Sequence, residues 1–360
     1  MLNLKEHEEI FLGLEDDDRT FPTAAFELLK KLNLLTVTLP SIFGGKSYGE
    51  KKNAKLLNIL KEVGKADLSV GRIYEGHINA LLLIAQYGSA QQKQRYFKDA
   101  HNGKLFSVWN TQRKSDGVHL IQTDSQNKLE GAKIFCSGGL HIDRPIITAK
   151  TKKGWQMVVI ETEKHKELKE DFSLWKPLGM RASVSSRIDF TDVLLEPVNL
   201  LGNIDDYSQQ PSFTGGAIRF AAVQLGGAEA VAEATVAHLK KLKRTEDPYQ
   251  QMRLGKIAIL LEQGRLWIEK SGEIADKSGD SSGDILVNYA NMMRTAILDI
   301  CTEVMQLAER CVGLKGFMHD HAIEKLHRDL ATYLKQPGPD LALANVGEFV
   351  TKIECINNVR

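Results

Sequence analysis

Residues 129–139 read Leu-Glu-Gly-Ala-Lys-Ile-Phe-Cys-Ser-Gly-Gly, and they lie within the region that decides the fold. Short runs with the composition of β-strands occupy this region, from about residue 105 to residue 201. No helical segment of about 10–15 residues alternates with them, which disfavours a doubly wound parallel sheet and favours a small β-barrel or sandwich. The predicted strands are Lys104–Val108, His119–Thr123, Ile134–Cys136, Ile146–Ala149, Trp155–Ile160 and Ile188–Val193.

Helical periodicity flanks the β-rich region on both sides. Before it, apolar residues recur at three- and four-residue steps from Phe21 to about Ala100. After it comes a polar linker and then a second helical region, in which Gly226-Gly227 indicates close helix-helix contact. The long helices predicted there are Phe220–Leu242, Gly255–Ala275 and Ile285–Arg310.

The fold class predicted from this order is α+β and multidomain. A helical N-terminal domain is expected at 1–103, a β domain at 104–202, and an antiparallel helical bundle at 203–360. The length of 360 residues agrees with more than one domain, because single cores usually stop growing at roughly 250–300 residues.

Charge is balanced, with 47 Lys and Arg against 46 Asp and Glu and a formal net charge of +1. This balance argues against nucleic-acid binding, and a near-neutral surface fits self-association. No apolar stretch approaches the roughly 20 residues that cross a bilayer, and residues 1–8 lack the features of a secretion signal. We therefore expect a cytoplasmic protein without membrane insertion.

Common catalytic and metal motifs are absent from the sequence. It has no Gly-x-Ser-x-Gly, Walker loop or His-Glu-x-x-His, and no Gly-x-Gly-x-x-Gly follows a strand. The ten histidines, including His319 and His321, do not fall at metal-ligand spacings, so no metal site is predicted. The four cysteines are scattered, and we expect all of them to be small buried hydrophobes: Cys136, Cys301, Cys311 and Cys355.

Eight short stretches, in one order over about 320 residues, carry a family resemblance. They are Phe21-Pro22-Thr23; Leu34-Leu35 with Leu39-Pro40 and Gly44-Gly45; 88–93 (Gly-Ser-Ala-Gln-Gln-Lys); 129–139; 179–183 (Gly-Met-Arg-Ala-Ser); 190–197 (Phe-Thr-Asp-Val-Leu-Leu-Glu-Pro); 313–317 (Gly-Leu-Lys-Gly-Phe); and 326–329 (Leu-His-Arg-Asp). Together they resemble the acyl-CoA dehydrogenase family of flavoproteins.

The resemblance implies FAD bound between a helical domain, a β domain and a four-helix bundle that forms homodimers or homotetramers. Five positions match residues that meet the flavin ring: Trp109, Asn110, Thr111, Phe135 and Ser137. Such residues suit an isoalloxazine, which needs hydrogen-bond partners along one edge and apolar cover on a face. The alternative is that Trp109 and Phe135 are core aromatics.

The resemblance also implies residues for the rest of the FAD. Ser115 and Asp116 match a pair that holds the pyrophosphate. Arg244 matches an arginine lent by a neighbouring subunit, with Gln250 and Gln251 in the following turn, and its planar fork suits phosphate oxygens. Gly313 begins the loop that lies near the adenosine half. Arg310 stands where many relatives have glutamine. The alternative for Arg244 is a surface arginine.

The glutamate that removes the substrate's α-proton in this family is missing. The segment 328–340, where most relatives carry it, contains none, and the second position used in the family is occupied by Ile218. A positioned base contributes about 10²–10⁴-fold to a rate. Asp340 and Glu75 are the carboxylates considered as substitutes, and both have a structural or solvated alternative.

The leading hypothesis is an FAD-dependent oxidoreductase that acts on an acyl-CoA or related substrate, with electron-transfer flavoprotein as a possible partner. The second is a flavin-dependent monooxygenase on the same fold, served by a flavin reductase, in which His77 lies near the flavin. The third is a non-enzymatic member that has lost the chemistry.

Overall fold

The structure is a computed structural model that describes residues 4–123, 126–277 and 283–353, except residues 13, 15 and 18. Cys355 and the last residues of the predicted bundle domain lie outside the described residues. The three other cysteines are free and buried, as predicted. None of the described helices is both long enough and apolar enough to span a membrane.

The N-terminal helices surround one central helix, α4. Its first turn is capped by Asp67, whose carboxylate accepts the Val70 N–H at 2.9 Å. The next helix begins with a capping box formed by Ser89 and Gln92. The helices of this part are α1 Glu8–Leu12, α2 Thr23–Lys31, α3 Asn53–Ala66, α4 Leu68–Tyr87 and α5 Ala90–His101.

The middle part contains a seven-stranded sheet and a three-stranded sheet. In the large sheet the strand order is β10-β6-β5-β2-β3-β9, with β1 paired to β5; the small sheet has the order β4-β8-β7. The strands are β1 Phe106–Trp109, β2 His119–Gln122, β3 Asn127–Glu130, β4 Ala132–Cys136, β5 Arg144–Lys150, β6 Trp155–Val159, β7 Lys169–Asp171, β8 Ser186–Asp189, β9 Leu194–Leu195 and β10 Leu200–Leu201.

The sheets confirm that the region is not a doubly wound fold, and they add strands that periodicity missed. Strands β3 and β7 were not predicted, because each has only three or four residues and is rich in charged side chains. Strands β1 and β2 both pair with β5 in parallel.

The C-terminal part is helical, and its long helices agree with the predicted ones to within about eight residues. Helix α7 packs along α3 at very close range: a Cβ on Gly226 would collide with the Lys61 carbonyl oxygen, and one on Gly227 would lie 2.8 Å from Leu68. The predicted close contact is therefore confirmed. The helices are α6 Ser212–Gly215, α7 Ala217–Lys241, α8 Pro248–Lys277, α9 Gly283–Val312, α10 Ala322–Tyr333 and α11 Pro339–Thr351.

Buried ion pairs join the N-terminal helices to the bundle. Lys61 on α3 donates to Glu229 on α7 at 3.1 Å, and both side chains are buried. Lys325 on α10 donates to Asp67 at 2.8 Å. Breaking a buried pair on one side costs about 3–5 kcal/mol, so these contacts hold the two helical parts in one arrangement.

Candidate active site

Phe135 projects from strand β4 on a β-bulge. Lys133 pairs with Ile188 and Cys136 with Ser186, so β4 has one more residue than β8 over this interval. The bulge gives Phe135 a left-handed backbone, with φ of 55°, and leaves its side chain 50% exposed. Such a conformation costs about 1–3 kcal/mol and is most frequent at functional sites. The bulge therefore turns an aromatic ring outward from the β domain.

A chain of three hydroxyl groups lies behind this ring. Ser137 Oγ is 3.0 Å from Ser185 Oγ, which is 2.9 Å from Ser183 Oγ. The loop that carries the latter two serines also contains Met180 and Val184 with φ of 61° and 45°. A left-handed valine is a true outlier, because its branched side chain crowds the backbone. Strained backbone thus gathers around Ser137, on both segments that hold it.

Trp109 is a core residue. Its side chain is 2% exposed, packs near Phe190, and donates its Nε1–H to the Ser137 carbonyl oxygen at 3.1 Å. This burial corrects the expectation of a flavin contact by the Trp109 ring and agrees with the core alternative. For Phe135 the core alternative is wrong, because half of its side chain is exposed.

Asn110 is anchored by the buried amine of Lys133. Lys133 Nζ donates to the Asn110 carbonyl oxygen at 3.1 Å, to Gln112 Oε1 at 2.7 Å and to Thr148 Oγ1 at 3.0 Å. The Thr148 hydroxyl in turn donates to Asn110 Oδ1 at 2.5 Å. Burial lowers the pKa of Lys133 to about 7, since no carboxylate pairs with it among the described residues. The network fixes Asn110 and the exposed Thr111 after β1.

Ser115 and Asp116 lie in the exposed turn that follows. The Asp116 carboxylate accepts Arg187 Nη2 at 2.9 Å, and the Ser115 hydroxyl lies 3.4 Å from Asp116. Asp116 is therefore held in place by an arginine, whereas the exposed Ser115 hydroxyl faces solvent. This arrangement leaves Ser115 accessible to a phosphate.

The remaining predicted FAD residues gather at one end of the bundle. Arg244 is exposed and pairs with Asp247 at 3.0 Å, and Arg310 and Gly313 are exposed at the end of α9. Gly313 has φ of 70° and open space where a side chain would be. Gln250 differs, because it is buried and its Oε1 has no hydrogen-bond partner among the described residues. The structure does not bring this group against the β-domain residues within one chain.

His77 serves the packing of α4. The Phe106 N–H donates to Nδ1 at 3.1 Å, so the ring's other nitrogen carries the proton and donates to the Leu35 carbonyl oxygen at 2.7 Å. Burial lowers the pKa of His77 to about 4. Both nitrogens are occupied, and this corrects the suggestion that His77 hydrogen-bonds to a flavin.

Glu75 belongs to a buried polar group that also includes Arg72, Asn79 and Arg219, here called the arginine cluster. Glu75 is 2% exposed and accepts hydrogen bonds from Arg72 and Asn79, and Arg219 on α7 donates to Asn79. Arg72, Glu75 and Asn79 share one face of α4, since they are three and four residues apart. One carboxylate therefore faces two guanidinium groups, Arg72 directly and Arg219 through Asn79.

The segment that lacks the family glutamate ends next to this cluster. Tyr333, in the last turn of α10, is buried within electrostatic range of Arg72 and Glu75. Its carbonyl oxygen accepts Gln224 Nε2 at 3.0 Å, and Arg294 Nη2 donates to the Pro337 carbonyl oxygen at 2.8 Å. Asp340 is exposed in the first turn of α11, where a carboxylate favours the helix.

Sequence reasoning missed Lys133, Arg72 and Arg219 as members of these sites. In the sequence Lys133 is an ordinary strand residue. Its importance shows only in the structure, where its amine is buried without a carboxylate partner among the described residues. Arg219 follows Ile218 in the sequence, but its contact with Asn79 spans 140 positions. No local sequence pattern could have predicted that Arg219 and Asn79 are in contact.

Four of these residues fit a flavin ring, and we call them the flavin edge: Asn110, Thr111, Phe135 and Ser137. The half-exposed Phe135 ring supplies flat apolar cover. Amide and hydroxyl groups with fixed positions lie beside it, as a carbonyl- and nitrogen-rich heterocycle requires. Strain at Phe135 is explained if the exposed ring is needed for binding.

Comparison with known proteins places the chain in a family. The acyl-CoA dehydrogenase N-terminal domain matches residues 5–104, and the acyl-CoA dehydrogenase C-terminal domain matches residues 207–340. The cyclohex-1-ene-1-carbonyl-CoA dehydrogenase of Geobacter metallireducens is 24% identical, over 88% of this chain and 87% of its own. The dibenzothiophene monooxygenase of Mycolicibacterium goodii is 21% identical, over 90% and 86%.

A solved structure shows the same fold. Butyryl-CoA dehydrogenase from Megasphaera elsdenii superimposes with a TM-score of 0.82 at 19% identity, and 97% of each chain is covered. The expectations of fold class, family and oxidoreductase type are confirmed, and the family is FAD-dependent. The chain belongs to the acyl-CoA dehydrogenase family.

Proposed function

We propose that this protein is an FAD-dependent oxidoreductase that acts on an acyl thioester or a related carbonyl compound. The observation that carries the proposal is the flavin edge: a strained, half-exposed Phe135 beside Ser137, Asn110 and Thr111. These residues would hold the isoalloxazine ring, which supplies hydride acceptance when bound. Ser115 of the same chain and Arg244 of a neighbouring subunit would hold the pyrophosphate.

The protein's own groups leave the α-proton without the usual base. Asp340 has a structural role, because it is exposed in the first turn of α11. Glu75 is the better substitute, because it is buried next to Tyr333, which follows the family's Arg-Asp pair by four residues. Arg72 and Asn79 donate hydrogen bonds to the Glu75 side chain and fix its position.

The test is anaerobic mixing of the FAD-loaded protein with a panel of acyl-CoAs of different chain lengths. We expect loss of the oxidised flavin absorbance with at least one of them, slowed at least 100-fold in Glu75→Gln if Glu75 is the base. A Glu62→Gln variant serves as the matched control on the neighbouring helix. Absence of bleaching with every acyl-CoA would overturn the proposal.

A flavin-dependent monooxygenase is the second candidate function. It is favoured by the segment 328–340, which contains no glutamate and whose buried Asp329 binds the Met180 N–H at 2.6 Å and Lys325 at 2.7 Å. A reaction that needs no α-proton base would explain this arrangement. Turnover that requires both oxygen and a flavin reductase would select this candidate, whereas turnover with electron-transfer flavoprotein under nitrogen would reject it.

We also propose that the protein is a homodimer or homotetramer joined through α8. Met252, Ile259 and Leu266 are all more than half exposed and repeat every seven residues, which forms one apolar stripe on this helix. Sedimentation analysis of Ile259→Glu should then show a smaller species than the unaltered protein.

We place the protein in the cytoplasm, where free thiols such as its three described cysteines persist.

A further inference from the structure

The arginine cluster carries more positive than negative charge. Arg72 pairs with Glu75, and its side chain is 29% exposed. Arg219 donates to Asn79 rather than to a carboxylate; burial lowers its pKa, and Glu75 is the carboxylate whose charge opposes that effect. Across the described ranges, no other carboxylate forms an ion pair with either arginine. An unpaired buried charge is costly and needs a partner to balance it.

Two tyrosines complete the surroundings with neutral groups. Tyr333 is 3% exposed; its hydroxyl lies against Arg72, which can only donate to it, and it meets no acceptor among the described residues. Tyr207 lies within electrostatic range of both arginines and of Glu75. Burial raises the pKa of Tyr207 to about 12 and that of Tyr333 further, so both phenols keep their protons. The Tyr333 hydroxyl is therefore a donor without an acceptor.

The helices that carry the cluster and Tyr333 also contact the segments beside Ser137. Ile73, the residue after Arg72, lies against Gly138, which follows Ser137. The Gly179 N–H donates to Thr332 Oγ1 at 3.1 Å, one residue before Tyr333. A ligand held by the cluster would thus sit between α4, α10 and the loop that supports Ser137.

Arg294 adds a further cation near the same segment. Its guanidinium lies 5.2 Å from the centre of the Phe220 ring, beside Arg219 in sequence, and donates to the Pro337 carbonyl oxygen. Burial lowers its pKa, and it too has no carboxylate partner in the part of the chain that the structure describes. Arg294 is thus a further cation on α9, beside the segment that follows Tyr333.

We propose that the arginine cluster binds an oxyanion, a carboxylate, that belongs to the substrate. One such group would balance the second guanidinium and accept the Tyr333 hydroxyl, and paired arginine donors suit the planar fork of a carboxylate. This inference rests on the proposed function, because it names the substrate class of the same site: an organic acid whose carboxylate stays free.

The probe is benzoate, compared with its neutral isostere benzamide. Benzoate should raise the melting temperature of the FAD-loaded protein and change the flavin absorbance, whereas benzamide should do neither. Inorganic phosphate is a separate arm, because a free inorganic anion could use the same donors. An equal response to phosphate and benzoate, or to benzamide and benzoate, would overturn the substrate assignment.

The variant Arg219→Met tests whether the arginine cluster binds the carboxylate. It should weaken benzoate binding at least tenfold and raise the melting temperature without ligand, because it removes an uncompensated charge. Arg265→Met is the matched control: it removes one exposed arginine from Glu229, which keeps Lys61, and should leave benzoate binding unchanged. Unchanged binding in Arg219→Met would overturn the proposal.

The flavin content of the same samples separates a failure of the proposed function from a failure of the carboxylate site. A protein that binds no flavin contradicts the proposed function, while the thermal response to benzoate still decides the carboxylate site. A protein that binds flavin and ignores benzoate keeps the proposed function and loses the carboxylate site.

Discussion

The flavin edge lies on β4 and just after β1 and β4, whereas the arginine cluster lies on α4 and α7, and the two regions satisfy their polar groups in different ways. At the flavin edge neutral donors and acceptors meet one another, as in the three serine hydroxyls and the bonds of Asn110. In the arginine cluster Glu75 faces two cations. The hydrogen bonds of the first region are satisfied within the chain, and its exposed Phe135 ring is the part that a ligand would cover. The second region has a charge left to balance.

The largest effect is expected from Glu75→Gln, which removes the only carboxylate of the cluster. Two buried cations would then face each other, and we expect a loss of about 4 kcal/mol in the free energy of unfolding. Denaturant unfolding measures it. Glu62→Gln is the control: its partner Lys61 retains Glu229, so the cost should stay below about 1 kcal/mol. Equal losses in both variants would contradict the charge imbalance.

The next effect concerns His77, which joins α4 to β1 between the two regions. Its folded pKa of about 4 lies below the ordinary value of 6.5, so the unfolded chain takes up the proton first. The stabilisation is complete above pH 6.5 and is lost as the pH falls towards 4, by about 3 kcal/mol. Urea unfolding between pH 4 and pH 6.5 should show this fall in the free energy of unfolding in the unaltered protein and a smaller fall in His77→Gln. The same dependence on pH in both proteins would contradict the prediction.

Phe135→Gly separates strain from binding at the flavin edge. Glycine adopts a positive φ freely, so the free energy of unfolding should rise by about 1 kcal/mol. The lost ring should weaken FAD binding roughly tenfold, as measured by flavin fluorescence titration. Asp192→Gly, at another residue with positive φ, should relieve strain without changing FAD binding. Unaltered FAD affinity in Phe135→Gly would remove the ring from the site.

The smallest effect is expected for Ser185→Ala, which interrupts the hydroxyl chain behind Ser137. A neutral hydrogen bond contributes about 1 kcal/mol, and the flavin edge keeps its other contacts. Thermal unfolding should show this small loss. A loss as large as that of Glu75→Gln would mean that the edge is no more self-sufficient than the cluster.

The contrast also explains what the sequence could predict. Phe135 and Ser137 lie within one short stretch, so a local motif was enough to name them as candidates, whereas the bulge at Phe135 depends on the pairing of β4 with β8 and was not predicted. The long helices followed from their apolar repeats. The arginine cluster depends on Asn79 and Arg219, which meet only through the packing of α4 on α7. The burial of Trp109 was ambiguous for a similar reason: an aromatic at a strand end can face either way, and Phe190 decides it.

The close packing of α3 on α7 has a consequence for the order of synthesis. Helix α3 emerges from the ribosome well before α7, yet its glycine-lined face and its Lys61 find their partners only there. Asn53 likewise donates a hydrogen bond at 2.7 Å to Asp276, which is synthesised much later. Until the bundle is made, the first third of the nascent chain carries an exposed apolar surface and an unpaired cation. The early helices are therefore open to non-specific association until the late ones are synthesised.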